Sequence, residues 1–189
     1  MTMASVDFHI SENLENMTSD EKSALPAWGF DLAHDIQDQI RDLIKSILKD
    51  QIQLKTNFSV SVTYMSNDEI QELNAEYRDK NKPTNVLSFP QYDCLEDIES
   101  LKFPEVHLGD IIVSVETLQD EAENQHKDKD NHLLHLVAHS TLHLLGYDHM
   151  DDHEAESMEA LEVKYLEEFS GGNGLVVWLL HVDLPHFLA

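Results

Sequence analysis

The stretch FSVSVTYMSNDE, residues 58–69, changes its repeat partway along. Phe58, Val60, Val62 and Tyr64 alternate with polar residues, the two-residue period of a strand with one buried face. SNDE then reads as a capping box. The Ser66 side chain accepts from a backbone N–H one turn on, and Glu69 reaches back to the residue that begins the helix. A strand that runs directly into a capped helix predicts sheet and helix in one small domain. On the N-terminal side, Val6, Phe8 and Ile10 predict a further strand, and residues 11–28 are polar and irregular. Leu32, Ile36, Ile40, Leu43, Ile44, Ile47 and Leu48 follow helical spacing, so residues 31–50 form a helix with one buried face. On the C-terminal side the capped helix runs to about Arg78, and Pro83 stops it. VLSF at 86–89 is a strand ended by Pro90, residues 91–106 are a loop, and LGDIIVSV at 108–115 is an apolar, β-branched strand. Helices follow at 116–124, at 131–145 and, after a second capping box at Asp151 and Glu154, at 151–169.

Strands and helices mix without a strict βαβ rhythm. The expected class is α+β: a single domain with a small mixed sheet of about four strands packed with helices. Residues 1–169 make this domain. Three glycines within four residues from Gly171 open an extension over 170–189, which is flexible or a docking segment. Its apolar run is too short to span a bilayer.

At 189 residues, 41% hydrophobic and 26% charged, the chain has the make-up of a globular domain with a sizeable core. The lone Cys94 excludes an internal disulfide framework and fits a reducing compartment. The first residues lack the basic and apolar regions of a secretory signal. The expectation is a soluble, cytoplasmic protein with no membrane partner. The net charge of −25 repels nucleic acid over most of the surface, because such binding is driven by phosphate neutralisation. Any anion site must therefore be local. YRDKNK, residues 77–82, carries three basic residues and one acidic one and is the best local candidate, though a solvated loop would read the same way.

The sharpest signal is HSTLHLLGYDH, residues 139–149. His139 and His143, four apart on a helix, point to one side. Gly146 can take the left-handed conformation that ends a helix and folds the chain back, and His149 follows three residues later. Three imidazoles can thus meet one zinc ion and leave a coordination position open. The metal site then sits on a C-terminal helix and the turn after it. The spacing is that of zinc proteases with H-E-x-x-H-x-x-G-x-x-H, but Ser140 stands where they keep the catalytic glutamate, so their proton shuttle is missing. His135, one turn earlier, packs or orients the site, while His153 belongs to the acidic surface. A helix rich in histidine also arises without metal, but rarely with the glycine in place. Asp148 is a candidate general base or an acceptor for a ligand imidazole; its plainer role is to cap the turn after Gly146.

HLVAHSTLHLLGYDH from His135 and HEAESMEALE from His153 resemble the YbeY family of bacterial endoribonucleases and ribosomal RNA maturation factors, as do LNAEYRDKNKPTNVLSFP from Leu73 and LGDIIVS from Leu108. Counting the two adjoining histidine stretches as one, the three blocks keep the family's order, and the likeness covers about residues 6–169. It implies one Zn²⁺ ion on His139, His143 and His149. It implies a functional arginine at Arg78, which would grip a phosphate, with Lys80 and Lys82 adding contacts. It also implies a zinc-dependent, single-strand-specific endoribonuclease in late small-subunit ribosomal RNA maturation and ribosome quality control. The partners implied are a ribosomal RNA precursor, a small-subunit ribosomal protein and a ribosome-associated GTPase. Two residues depart from the family pattern. Ser140 replaces a glycine and would narrow the space beside the metal. Asn85 replaces an aspartate and would remove a charge near Arg78. The rival readings are a zinc hydrolase of peptides or small molecules and a non-catalytic assembly factor with a structural metal.

Overall fold

The computed structural model describes residues 4–31, 33–53, 56–149 and 151–170. Leu32 and all of the 170–189 extension beyond Ser170 lie outside them. Four strands form one sheet: β1 (Ala4–Ile10), β2 (Asn57–Met65), β3 (Val86–Pro90) and β4 (Glu105–Ser114). Their order is β1-β2-β4-β3. β1 and β4 run parallel to β2, and β3 is antiparallel to β4. The mixed four-stranded sheet expected from the sequence is present. In β2, Phe58, Val60, Val62 and Tyr64 all face the core and are at most 1% exposed.

The pairing of β2 with β4 slips at Ser59 and Val60, whose partners are His107 and Gly109, so Leu108 is skipped. Gly109 takes φ 145° beside this bulge, and a Cβ there would lie 2.2 Å from the Phe89 carbonyl oxygen. Only glycine lets β3 come this close.

The helices are α1 (Glu12–Glu15), α2 (Ser19–Ser23), α3 (Asp35–Gln51), α4 (Asn67–Arg78), α5 (Leu95–Ser100), α6 (Val115–Asn124), α7 (Lys129–Leu144) and α8 (Asp152–Ser170). Both halves of the Ser66–Glu69 capping box form at the start of α4. Six of the seven apolar positions named for α3 are buried, from Ile36 to Leu48.

Two expectations are corrected. Residues 11–28 are not irregular. They hold α1, α2 with its own Thr18–Glu21 capping box, and a 3₁₀ turn at Ala27–Gly29. Leu14 and Trp28 from this segment are buried, and the Trp28 ring lies 5.3 Å from that of Tyr64. Residues 91–106 are not all loop. They contain α5, anchored by the fully buried Ile98, and β4 begins at Glu105. One or two helical turns are too short to show a 3.6-residue period, which is why the pattern missed them.

The centre of the molecule is α7. It packs against α3, α6, α8, β3 and β4, and every residue from His132 to Leu142 is buried. Most polar side chains of such an enclosed helix find partners; on α7 the exceptions among the described residues are His132 Nδ1 and Ser140 Oγ. Among the described residues no helix is long and apolar enough to cross a membrane.

Candidate metal centre and cleft

The C-terminus of α7 is built to turn. Leu145 caps it, Gly146 takes φ 86°, the Gly146 N–H donates to the His143 carbonyl (3.0 Å), and the Tyr147 N–H donates to the Leu142 carbonyl (3.1 Å). This pair of bonds is a Schellman motif. It satisfies carbonyls at the helix end and reverses the chain. The turn is closely packed as well as left-handed. A Cβ on Gly146 would sit 2.6 Å from Cys94 Cα and 2.8 Å from the Asp93 carbonyl oxygen.

The reversal brings His149 back onto His139 and His143. One nitrogen of each ring lies within 4.8 Å of one from each other ring. The His149 ring centre is 5.6 Å from that of His139 and 5.1 Å from that of His143. No fourth His, Cys, Asp or Glu joins this group among the described residues.

The hydrogen bonds behind the cluster fix the direction of two rings. His139 Nδ1 lies 2.7 Å from Glu162 Oε1, and His143 Nδ1 lies 2.9 Å from the Tyr147 carbonyl oxygen. Both oxygens only accept, so both Nδ1 atoms carry hydrogen. With both rings neutral, the two Nε2 atoms bear lone pairs, 3.0 Å apart. Two lone pairs at that distance repel unless a cation lies between them, so this donor set fits a metal ion. Burial, with the charges His139 and His149 can carry, lowers the His143 pKa to about 4. The ring is therefore neutral, as a ligand must be.

Glu162 was not singled out in the sequence. It sits on α8 and also accepts from His135 Nε2 at 2.9 Å. Burial alone would raise its pKa, but the hydrogen bonds from His135 and His139 outweigh burial and hold it down to about 2. Its signal was available. Met158, Tyr165 and Leu166 are the buried residues around it on α8, and a carboxylate in such a stripe requires a buried partner. His135 orients the site through Glu162, the packing role expected of it.

A cleft of about 480 Å³ opens on one side of the cluster. Its lining includes His139, His143, Asp148 and Arg78. Arg78 ends α4, is partly buried, and its pKa is lowered by that burial. Asp148 Oδ1 accepts the backbone N–H of His149 at 2.8 Å, the turn-capping contact. The imidazole acceptors are Glu162 and the Tyr147 carbonyl instead.

Both expected consequences of the departures from the family pattern are corrected. Ser140 is fully buried and is not part of the cleft lining. One residue on from His139 along a helix points about 100° away, so its side chain does not narrow the cleft. Asn85 is buried and turned from the cleft. Its Nδ2 donates to both Glu121 oxygens (3.2 and 2.9 Å) and its Oδ1 accepts from the Val86 N–H (2.7 Å). An amide supplies that donor, and a carboxylate would not.

The chain is similar to known proteins in sequence and in fold. The family model described as Endoribonuclease YbeY matches residues 30–170. An Endoribonuclease YbeY of Rhizobium etli is 49% identical over 109 residues, 58% of this chain and 61% of the relative. That of Agrobacterium fabrum is 39% identical over 164 residues, 87% of this chain and 91% of the relative. The chain thus spans about three fifths of the first relative and nine tenths of the second. A solution structure of a Thermotoga maritima protein is similar over 96% of this chain and 99% of its own, with a TM-score of 0.55 at 24% identity. The fold is shared.

Proposed function

The chain belongs to the YbeY endoribonuclease family, and on that premise we propose that it is a metal-dependent endoribonuclease cutting single-stranded ribosomal RNA precursors. The observation that carries this is a cleft lined by Arg78 and by His139 and His143, two rings of the three-imidazole cluster. His139, His143 and His149 hold a single Zn²⁺ ion. When bound there, zinc supplies a Lewis acid for phosphoryl oxygen and acidifies water. Glu162 and the Tyr147 carbonyl hold the first two rings with Nε2 forward. Arg78 grips the phosphate and offsets charge that develops on it, through a fork suited to two phosphate oxygens. Asp148 takes up the proton of the attacking water on its carboxylate. With no fourth side-chain ligand of these types among the described residues, a coordination position stays open, which favours catalysis over a purely structural metal. Ser140 gives a peptide hydrolase no proton shuttle.

The role in ribosomal RNA maturation and quality control extends the family's name to its substrate. A small-subunit ribosomal protein and a ribosome-associated GTPase are the proposed partners in the cytoplasm. With a net charge of −25, delivery by such partners would replace the electrostatic steering this chain lacks. The test is cleavage of precursor ribosomal RNA by the wild type, His139→Ala and Arg78→Ala, with and without chelator. Cleavage is expected only from the metal-loaded wild type. Equal cleavage by all would overturn the reading.

A further inference from the structure

Tyr77 immediately precedes Arg78 at the end of α4. It is 61% exposed, and among the described residues only Phe103 is a large hydrophobic side chain left so open. Ile70 and Leu73 lie on the same side of α4 and pack with Leu87, Ile112 and Phe89. Tyr77 is four residues beyond Leu73, so it carries that apolar stripe past the packed cluster. Its ring meets Phe89 edge-on, with centroids 5.1 Å apart and planes at 77°. Both rings line the cleft that holds Arg78 and the histidines. If Tyr77 only closed the helix, this contact would suffice, but most of the ring would then stand in water for no return.

The surroundings identify what covers it. Arg78, Lys80 and Lys82 are three of the twelve cationic residues of a chain with net charge −25. The loop that carries the lysines is held against α4: Asp79 turns it with φ 53°, the Lys80 N–H donates to the Asn74 carbonyl (3.2 Å), and Asn74 Nδ2 donates to the Lys82 carbonyl (2.7 Å). An open aromatic face beside a fixed cationic loop matches a ligand with alternating flat rings and phosphates. We propose that Tyr77, backed by Phe89, is a stacking platform for an unpaired nucleobase next to the phosphate at Arg78. This rests on the ribonuclease reading and gives it a physical basis for preferring single strands. A duplex keeps its base faces stacked inside and has none to offer Tyr77.

The test uses the full-length, zinc-loaded protein. The probe is a short single-stranded RNA carrying one fluorescent purine analogue, alone and annealed to its complement. Wild type and Tyr77→Trp are expected to quench the single strand on binding. Tyr77→Leu, which keeps an apolar side chain but no π face, is expected to lose the quench and bind about tenfold more weakly. KM for cleavage of a single strand should rise by a similar factor while kcat holds. The exposed position predicts an unchanged melting temperature, so weak binding would not reflect unfolding. The proposal is overturned if Tyr77→Leu binds the single strand within about twofold of wild type, if wild type does not bind it, or if the duplex binds as well. Failure of the ribonuclease reading would look different: wild type would quench the probe in a Tyr77-dependent way and yet cut no RNA.

Discussion

Helix α7 carries two imidazole–carboxylate pairs only one turn apart, and they differ in what lies behind the carboxylate. At the upstream pair, His132 Nε2 meets Glu121 at 2.9 Å, and the other partner of Glu121 is the Asn85 amide. At the downstream pair, Glu162 takes both His135 and His139. The side chain of Glu121 is 27% exposed and that of Glu162 is 5% exposed. The upstream cluster ends on an amide whose groups are all used, and its spare nitrogen, His132 Nδ1, is buried facing no partner. The downstream one ends on a ring whose far nitrogen faces a second histidine and an open cleft. Burying a histidine beside an acid does not make a site. A site needs a spare electron pair that faces other donors and an open cleft, not one sealed in the core.

The widest separation between the clusters should appear on deleting an imidazole. His143→Ala is expected to lower zinc affinity by more than about 100-fold, beyond the loss typical of removing a supporting partner. His132→Ala should leave it unchanged. Competition with a chromophoric chelator measures both, and a matching loss in His132→Ala would erase the distinction drawn here.

Removing the acids comes next. Glu162→Leu strands two buried ring N–H groups and should cost about 3–5 kcal/mol in urea unfolding. Glu121 is itself partly exposed, so water can take its place against His132 and Asn85, and Glu121→Leu should cost about 1–3 kcal/mol. Equal losses would mean that burial does not set the difference.

Acid should separate the clusters as well. His143 has a folded pKa of about 4 against about 6.5 for an unfolded histidine. Between these values the unfolded chain binds more protons, so the metal-free protein loses stability as pH falls from about 6.5 to about 4, by roughly 3 kcal/mol in all. Glu162, held at about 2, adds a further loss below about pH 4.5. In His143→Ala the upper part of this profile should flatten. The smallest effect is expected from Tyr147→Phe, which removes the 2.5 Å bond from its hydroxyl to Gln51 Oε1. It should cost about 1 kcal/mol and leave zinc affinity near wild type, because the Tyr147 carbonyl on His143 is untouched.

How much of this was legible in the sequence varied with the length of the pattern. Long repeats declared themselves: the alternation at 58–64, the apolar face of α3, and the two histidines, glycine and third histidine of the metal centre. The single turns of α1, α2 and α5 did not, since a period needs more than one cycle to show. Asn85 was legible as a departure but not as a contact. Its partner, Glu121, lies on another element, and only the fold reveals that the side chain points there. Glu162 was hidden for the opposite reason. Acids crowd the end of the chain, so one buried carboxylate looked like its exposed neighbours. The cue was its place among Met158, Tyr165 and Leu166, all at most 2% exposed.

The backbone contact at Gly146 carries a consequence for the gauge of the cleft. The turn that returns His149 touches the segment just after β3, at Asp93 and Cys94, closely enough that a Cβ would overlap both. Asp93 and Tyr147 belong to the cleft lining. Two pieces of chain about fifty residues apart are therefore seated against each other where the side chain is a hydrogen atom. The distance between the walls, and with it the fit of whatever lies across the histidines, is set by a carbon that is missing.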